Sequence, residues 1–324
     1  MNKLYVIGNG FDLYHDLATS YLSFGVFLKN NHRDLYDNMI TYYGLPTIED
    51  GSETDSGSYL WSEFEAVLAY LDHESILEEY SDYLASPGSP DFRDRDWGSF
   101  QIEIERVVDD LTLNLFSAFQ GFILNIDSSK ITENKKLSLE KNSSYLNFNY
   151  TDTLEKIYNI PHNNIVYIHN QANLDSELVL GHSISPESFE KEEIKPPDDL
   201  SAEDYERWME MMSDNYDHSY ELGKEEILTY FYKTHKDTQT IIDENELFFS
   251  QLKETDKVYI LGHSLSEVDQ PYFVKLIASV HSKTKWFVTY YSEEERKAHI
   301  KVLVELGINI DLIHPIKMSS LSEK

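Results

Sequence analysis

There is no cysteine anywhere in the 324 residues. That excludes disulfides, thiolate metal sites and cysteine nucleophiles, so burial and hydrogen bonding have to hold the fold. Positive charge is scarce as well. Lys plus Arg number 27 against 58 Asp plus Glu, a formal net charge of -31. A surface of that sign repels phosphate backbones, and nonspecific binding to DNA or RNA is not expected. No apolar run approaches the roughly 20 residues that cross a bilayer, and no signal-peptide pattern precedes the first strand, so the expectation is a cytoplasmic protein with no membrane partner. No HExxH occurs, and Asp12 with His15, three apart, is too common a pair to imply a metal. What is abundant is apolar and aromatic. With 41% hydrophobic residues, 23 Tyr and 16 Phe, the chain can bury a large core.

The most informative stretch is the opening one. Leu4 to Ile7 is an apolar run short enough for a buried strand, and it ends in Gly8-Asn9-Gly10 before Phe11 and Asp12. Glycines let a phosphate approach the backbone, and free N–H groups ahead of a helix favour its negative charge. The pattern therefore points to a nucleotide site. The alternative is a sharp structural corner, since Leu13 stands where a GxGxxG fingerprint has its third glycine.

Beyond it the chain alternates. Helical spacing is read over Ser20–Leu28, from Tyr59 to Leu71 with Glu63 and Glu65 near its start, and as one long helix over Phe100–Ile126. Thr47–Ser58 reads as a solvated loop and Ser128–Lys141 as a polar connector. Strands are expected at Ser144–Phe148, Ile165–Ile168, Leu178–Leu180, Lys257–Leu261, Lys285–Tyr290 and Ile308–Ile313, with helices at Pro271–Val280 and Glu293–Leu306. This rhythm predicts one α/β, Rossmann-like domain over 1–324, with a mostly parallel sheet and helices on both faces. Two helical insertions interrupt it, at about 25–139 and 186–254, the second entered through the EKEEIKPPDD segment.

Polar residues follow several of the strands, where open parallel sheets bind ligands. Asn149 and His169 end two of them. A neutral imidazole suits a general base and an amide can orient a water or a hydroxyl; alternatively Asn149 caps a helix and His169 is a core histidine. Gly262-His263-Ser264-Leu265-Ser266 is one glycine short of a nucleophile elbow. Because Gly-His-Ser recurs at Gly181–Ser183, pocket lining explains both better than two nucleophiles do. Asp269 is a helix cap or a ribose ligand.

Several of these pieces also resemble a known family. Gly8-Asn9-Gly10-Phe11-Asp12-Leu13 with His15, Leu17, Thr19, Tyr21 and Phe24 is similar to the opening signature of the bacterial abortive infection AbiH family. Trp61 with Glu63 and Glu65, Phe148-Asn149-Tyr150-Thr151-Asp152, Ile168-His169, and Gly262–Ser266 with Asp269 continue the resemblance in order. Asn170 stands where that family usually has glycine. The order of glycine turn, asparagine and histidine is also similar to sirtuin-type NAD-binding domains. There the turn holds the diphosphate while the asparagine and histidine face the nicotinamide ribose. These resemblances imply an antiphage protein that binds NAD or a related nucleotide and hydrolyses the nicotinamide-ribosyl bond. Asn149 and His169 would be catalytic; Gly8, Asn9, Gly10, Phe11, Asp12, Thr19, Gly262, His263, Ser264 and Asp269 would hold the nucleotide, with no metal. A homo-oligomer or a phage-derived trigger is the partner such a protein would take. Readings from other classes are a metal-assisted nuclease toxin, a nucleotide sensor without catalysis, and a structural defence subunit.

The charge balance yields the first test: duplex DNA at physiological salt and without metal ions is expected to show no measurable binding. Tight, salt-sensitive retention in a gel shift would mean a concealed basic groove.

Overall fold

Alternating side chains decide the architecture. In the computed structural model, which describes residues 2–49, 58–127, 131, 135–190, 195–197, 199–214 and 216–322, the strands are β1 (Asn2–Ile7), β2 (Ser144–Asn147), β3 (Ile165–Tyr167), β4 (Thr255–Leu261), β5 (Lys285–Thr289) and β6 (Ile313–Ile316). They form a six-stranded sheet in the order β3-β2-β1-β4-β5-β6. Every pairing is parallel. Leu4, Val6, Leu146, Val258 and Ile260 share one face with Ile242, Tyr272, Leu276 and Leu303 of covering helices. Tyr5, Ile7, Tyr145 and Leu261 point the other way, onto Phe11 and Leu154. On that second face the register sets Tyr5 between Tyr145 and Tyr259, ring centroids 5.0 and 5.2 Å apart.

From β1 the chain goes out to β2 and β3, then returns across the sheet to β4 on the other side of β1. The strand order thus reverses between β1 and β4. At such a reversal the loops leaving the two strands diverge and open a crevice at their carboxyl ends.

The intervening helices build a second core. Tyr21–Asn31, Arg33–Tyr43, Ser99–Asp109 and Leu115–Leu124 lie between β1 and β2, and His218–Lys233 lies between β3 and β4. Phe24, Trp61, Phe64, Phe100 and Phe119 pack in one cluster with Ile227, Tyr230 and Phe231. The Tyr43 hydroxyl donates to Tyr230 at 2.8 Å, and Tyr230 donates to the Leu68 carbonyl at 2.9 Å. Tyr150, just past β2, joins the same cluster and brings it against the strand ends.

Four local expectations change. The stretch from Tyr59 breaks into Ser58–Ser62, Phe64–Val67 and a 3-10 turn at Leu68–Tyr70. The long helix keeps its course but carries a π-helical segment, Asp110–Asn114, between its halves. Its apolar stretch from Asp94 to Leu124 is long enough to cross a bilayer, yet half of the relevant window is buried inside the protein, as befits a core helix. Leu178–Leu180 joins no sheet: beyond it His182 makes a single parallel bridge to His235. The last strand starts at Ile313, because Asn309 accepts a hydrogen bond from the Asp311 amide at 3.0 Å and winds Ile310–Leu312 into a 3-10 turn. Parts of the loop at 47–58, the connector at 128–141 and the EKEEIKPPDD segment lie outside the described residues.

Gly223 marks how closely the helical segments meet. A Cβ there would lie 2.3 Å from a ring carbon of fully buried Phe100. Gly223→Ala is expected to cost about 1–3 kcal/mol by overpacking. Urea unfolding followed by tryptophan fluorescence and circular dichroism should remain one coincident transition, since the helical core and the sheet share Tyr150. Two separated transitions would show that the helical core unfolds on its own.

Candidate functional site

The loops leaving β1 and β4 press against each other. The Gly10 amide donates to the Gly262 carbonyl at 2.7 Å, and the Gly8 amide to Leu261 at 3.0 Å. A Cβ on Gly8 would sit 2.5 Å from the His263 Cα, and one on Gly262 2.1 Å from the Phe11 nitrogen. Gly262 is also left-handed, φ +65°. Glycine is therefore demanded at both turns by the crossing of two backbones. The expectation of free N–H groups is narrowed accordingly. The Gly8, Gly10 and Phe11 amides already bond to carbonyls, and the helix that follows, Asn9–Tyr14, has six residues. Asn9 clasps Thr19, accepting from its hydroxyl at 2.5 Å and donating to its carbonyl at 3.1 Å.

Above this crossing, at the carboxyl ends of the strands, lies a cavity of about 340 Å³. Of the twelve positions singled out from the sequence, all but Phe11 line it. Phe11 is instead wholly buried, tilted against His15 and Tyr158. Asn149 donates from its amide to the Gly8 carbonyl at 3.1 Å, bracing β2 against the first turn.

A buried ionic cluster forms one wall. The Lys236 ammonium, with no solvent exposure, bonds to Glu65 and lies 3.4 Å from Asp269 Oδ1 and 3.4 Å from His169 Nε2. Asp269 is the junction. His169 Nε2 is 3.5 Å from its Oδ1, and His263 Nε2 and the Ser266 hydroxyl are 3.6 and 3.3 Å from its Oδ2. Glu65 also accepts from Tyr21, with Tyr150 at 3.4 Å. Burial pulls the Lys236 pKa down, but Glu65 and Asp269 together outweigh it and hold the ammonium above its ordinary value. Burial, then the Lys236 charge, keeps His169 well below the ordinary histidine range. His263 is pushed down to about 3 by burial, His299 and Lys236. Both imidazoles are neutral near pH 7.

Two of these residues were not prominent in the sequence. Lys236 sits in the polar string Thr234-His235-Lys236-Asp237, which reads as solvated. It is drawn inside because the chain there runs beside His182, so close that a Cβ on Gly181 would be 2.0 Å from the Thr234 carbonyl. Glu65 was indistinguishable from Glu63, a common first-turn acid; the break at Glu63 turns Glu65 toward Lys236. The second Gly-His-Ser is no pocket lining. His182 is buried against Phe189 and Phe231, away from the cavity. His15 serves the core, with Nε2 2.5 Å from the Tyr158 hydroxyl. Asn170 adopts φ +64°, a left-handed conformation that asparagine tolerates, and donates to the Glu177 carbonyl at 2.7 Å.

Asp12 is the most exposed to penalty. It is fully buried; Oδ2 accepts from Thr151 at 2.6 Å, but Oδ1 has no hydrogen-bond partner among the described residues. Burial pushes its pKa up to about 6, against the pull of Thr151, Thr153 and Asn149. Between about pH 4 and 6 the folded chain keeps a proton that the unfolded chain has released. Stability therefore falls as pH rises through that window and is level above it, a cost of order 2–3 kcal/mol. Asp12→Asn is expected to remove this slope and to be the more stable protein at pH 7.5 but not at pH 4, by urea unfolding at both. An unchanged slope would place the carboxylate in contact with water.

Comparison with known proteins agrees with the resemblance in the motifs. No curated protein and no solved structure matches the chain, and no similarity to sirtuin-type domains is shown. The sequence profile described as Bacteriophage abortive infection AbiH matches residues 4–290, spanning the glycine turn, the helical segments and the strands through β5. The chain belongs to the AbiH family of phage abortive infection proteins.

Proposed function

We propose that this defence protein binds a ribosyl nucleotide of the NAD type in the cavity and hydrolyses its nicotinamide-ribosyl bond. The observation that carries the reading is the placement of Asp269, on the wall of a crevice at the β1/β4 reversal, between two neutral imidazoles and a buried ammonium. In the reaction a water oxygen forms a bond to the anomeric carbon as the bond to the pyridinium nitrogen breaks. The electron pair of that bond leaves with nicotinamide, which departs neutral. Positive charge develops on the ribose in the transition state, and carboxylates fixed beforehand around it lower its energy without reorganising. The water proton passes to Asp269 and then to solvent.

The base role read onto His169 moves to Asp269. The His169 lone pair at Nε2 faces the Lys236 ammonium, and an imidazole held so far below neutrality is a weak acceptor. His169 instead faces the Lys236 ammonium that pairs with Asp269. Asn149, Thr151 and Asp12 supply an amide, a hydroxyl and a carboxylate to the same cavity, a set suited to ribose hydroxyls.

Purified protein incubated with NAD is expected to release nicotinamide, read by chromatography. Asp269→Asn is expected to lower single-turnover rates by about a hundredfold or more, the usual effect of losing an acid-base group, with NAD still bound. NAD that binds but stays intact would make the protein a sensor, and NAD that does not bind would remove the proposal.

A further inference from the structure

Asp12, Glu63, Glu65, Asp269 and Glu295 all line the cavity, and no Lys or Arg among the described residues does. The Lys236 ammonium balances one charge of the Glu65–Asp269 pair from behind, and with no exposed surface it cannot reach a ligand. At the glycine turn the Gly8, Gly10 and Phe11 amides are already bonded within the protein. Asp12, which also lines the cavity, has its buried Oδ1 without a partner among the described residues and so adds an unmet acceptor. A phosphate entering here meets carboxylates with no Lys or Arg among the described lining residues to offset them. A cation, or a group rich in O–H and N–H donors, meets acceptors throughout.

Size points the same way. About 340 Å³ is at the small end of ligand cavities and enough for a nucleoside-sized body.

We infer that the site selects ribosyl ligands whose base carries a positive charge, pyridinium ribosides, and that it takes them in by the charged base and ribose while phosphates remain outside. This rests on the ribosyl chemistry proposed above and narrows it. The acidic wall then has two uses. It attracts the cationic base on binding, and it stays in place as that charge moves onto the ribose.

The test is binding at low and physiological salt, by calorimetry, of nicotinamide riboside, of uridine as a neutral nucleoside of similar size, and of ADP-ribose as the phosphate-rich half without the cation. Nicotinamide riboside is expected to bind at least tenfold tighter than either of the others, and to weaken as salt rises. Glu63→Gln is expected to weaken it severalfold while leaving uridine binding and the melting temperature unchanged. Uridine or ADP-ribose binding as tightly as nicotinamide riboside would overturn the inference, as would failure of nicotinamide riboside to bind. Preferential binding of nicotinamide riboside without nicotinamide release would overturn the hydrolase reading alone and leave charge selection standing.

Discussion

A lysine ammonium taken wholly out of water has to be paired, or the fold that buries it does not form. Lys236 meets that requirement with Glu65 and Asp269, and each of the three comes from a different part of the chain. Glu65 belongs to the helices between β1 and β2, Lys236 follows the helix between β3 and β4, and Asp269 lies just after β4. An unpaired buried charge costs several kcal/mol, so removal of any one partner is felt by the other two. The cluster makes the two helical segments and the sheet interdependent at the point where the cavity opens. Positional precision in Asp269 follows, because both of its oxygens are already engaged.

The glycines serve that arrangement from below. They let the first and fourth strand loops cross at backbone contact, which sets how far apart Asp12 and Asp269 can stand. A turn that looks like a phosphate cradle in one dimension is a backbone crossing in three. The acidity of the wall then makes sense as a property of the whole assembly, since the loops contribute carboxylates and the only neighbouring ammonium described is sealed behind them.

The sheet was legible because its signal is local. Five of the short apolar runs read as strands, each followed by polar or glycine residues, match strands of the sheet, and Asn149, His169 and His263 were found just past their ends. Lys236 was not, because its burial is a consequence of tertiary closure: nothing in Thr234–Asp237 distinguishes it from a solvated loop until Gly181 is seen to admit that backbone. The two Gly-His-Ser tripeptides make the same point. At Gly262 the glycine is left-handed and its histidine faces Asp269, whereas at Gly181 the glycine makes room for a neighbouring carbonyl and its histidine enters an aromatic core. Identical triplets carried different constraints, and only the partners across the fold distinguish them.

The π-helical segment Asp110–Asn114 sets the phase of the helix that carries it. Upstream, Phe100 and Ile104 face the helix His218–Lys233; downstream, Phe119 and Ile123 reach the cavity wall. A π turn accommodates one residue more than an α turn over the same rise, so everything after it is rotated by about 100° relative to an uninterrupted helix. Deleting a single residue there would let the helix run on without the bulge and leave Phe119 and Ile123 facing the cavity, whereas straightening the turn with every residue kept would swing them away. Helix content would survive such a straightening and the shape of the site would not, which makes the wide turn at that point as much a part of the site as the carboxylates are.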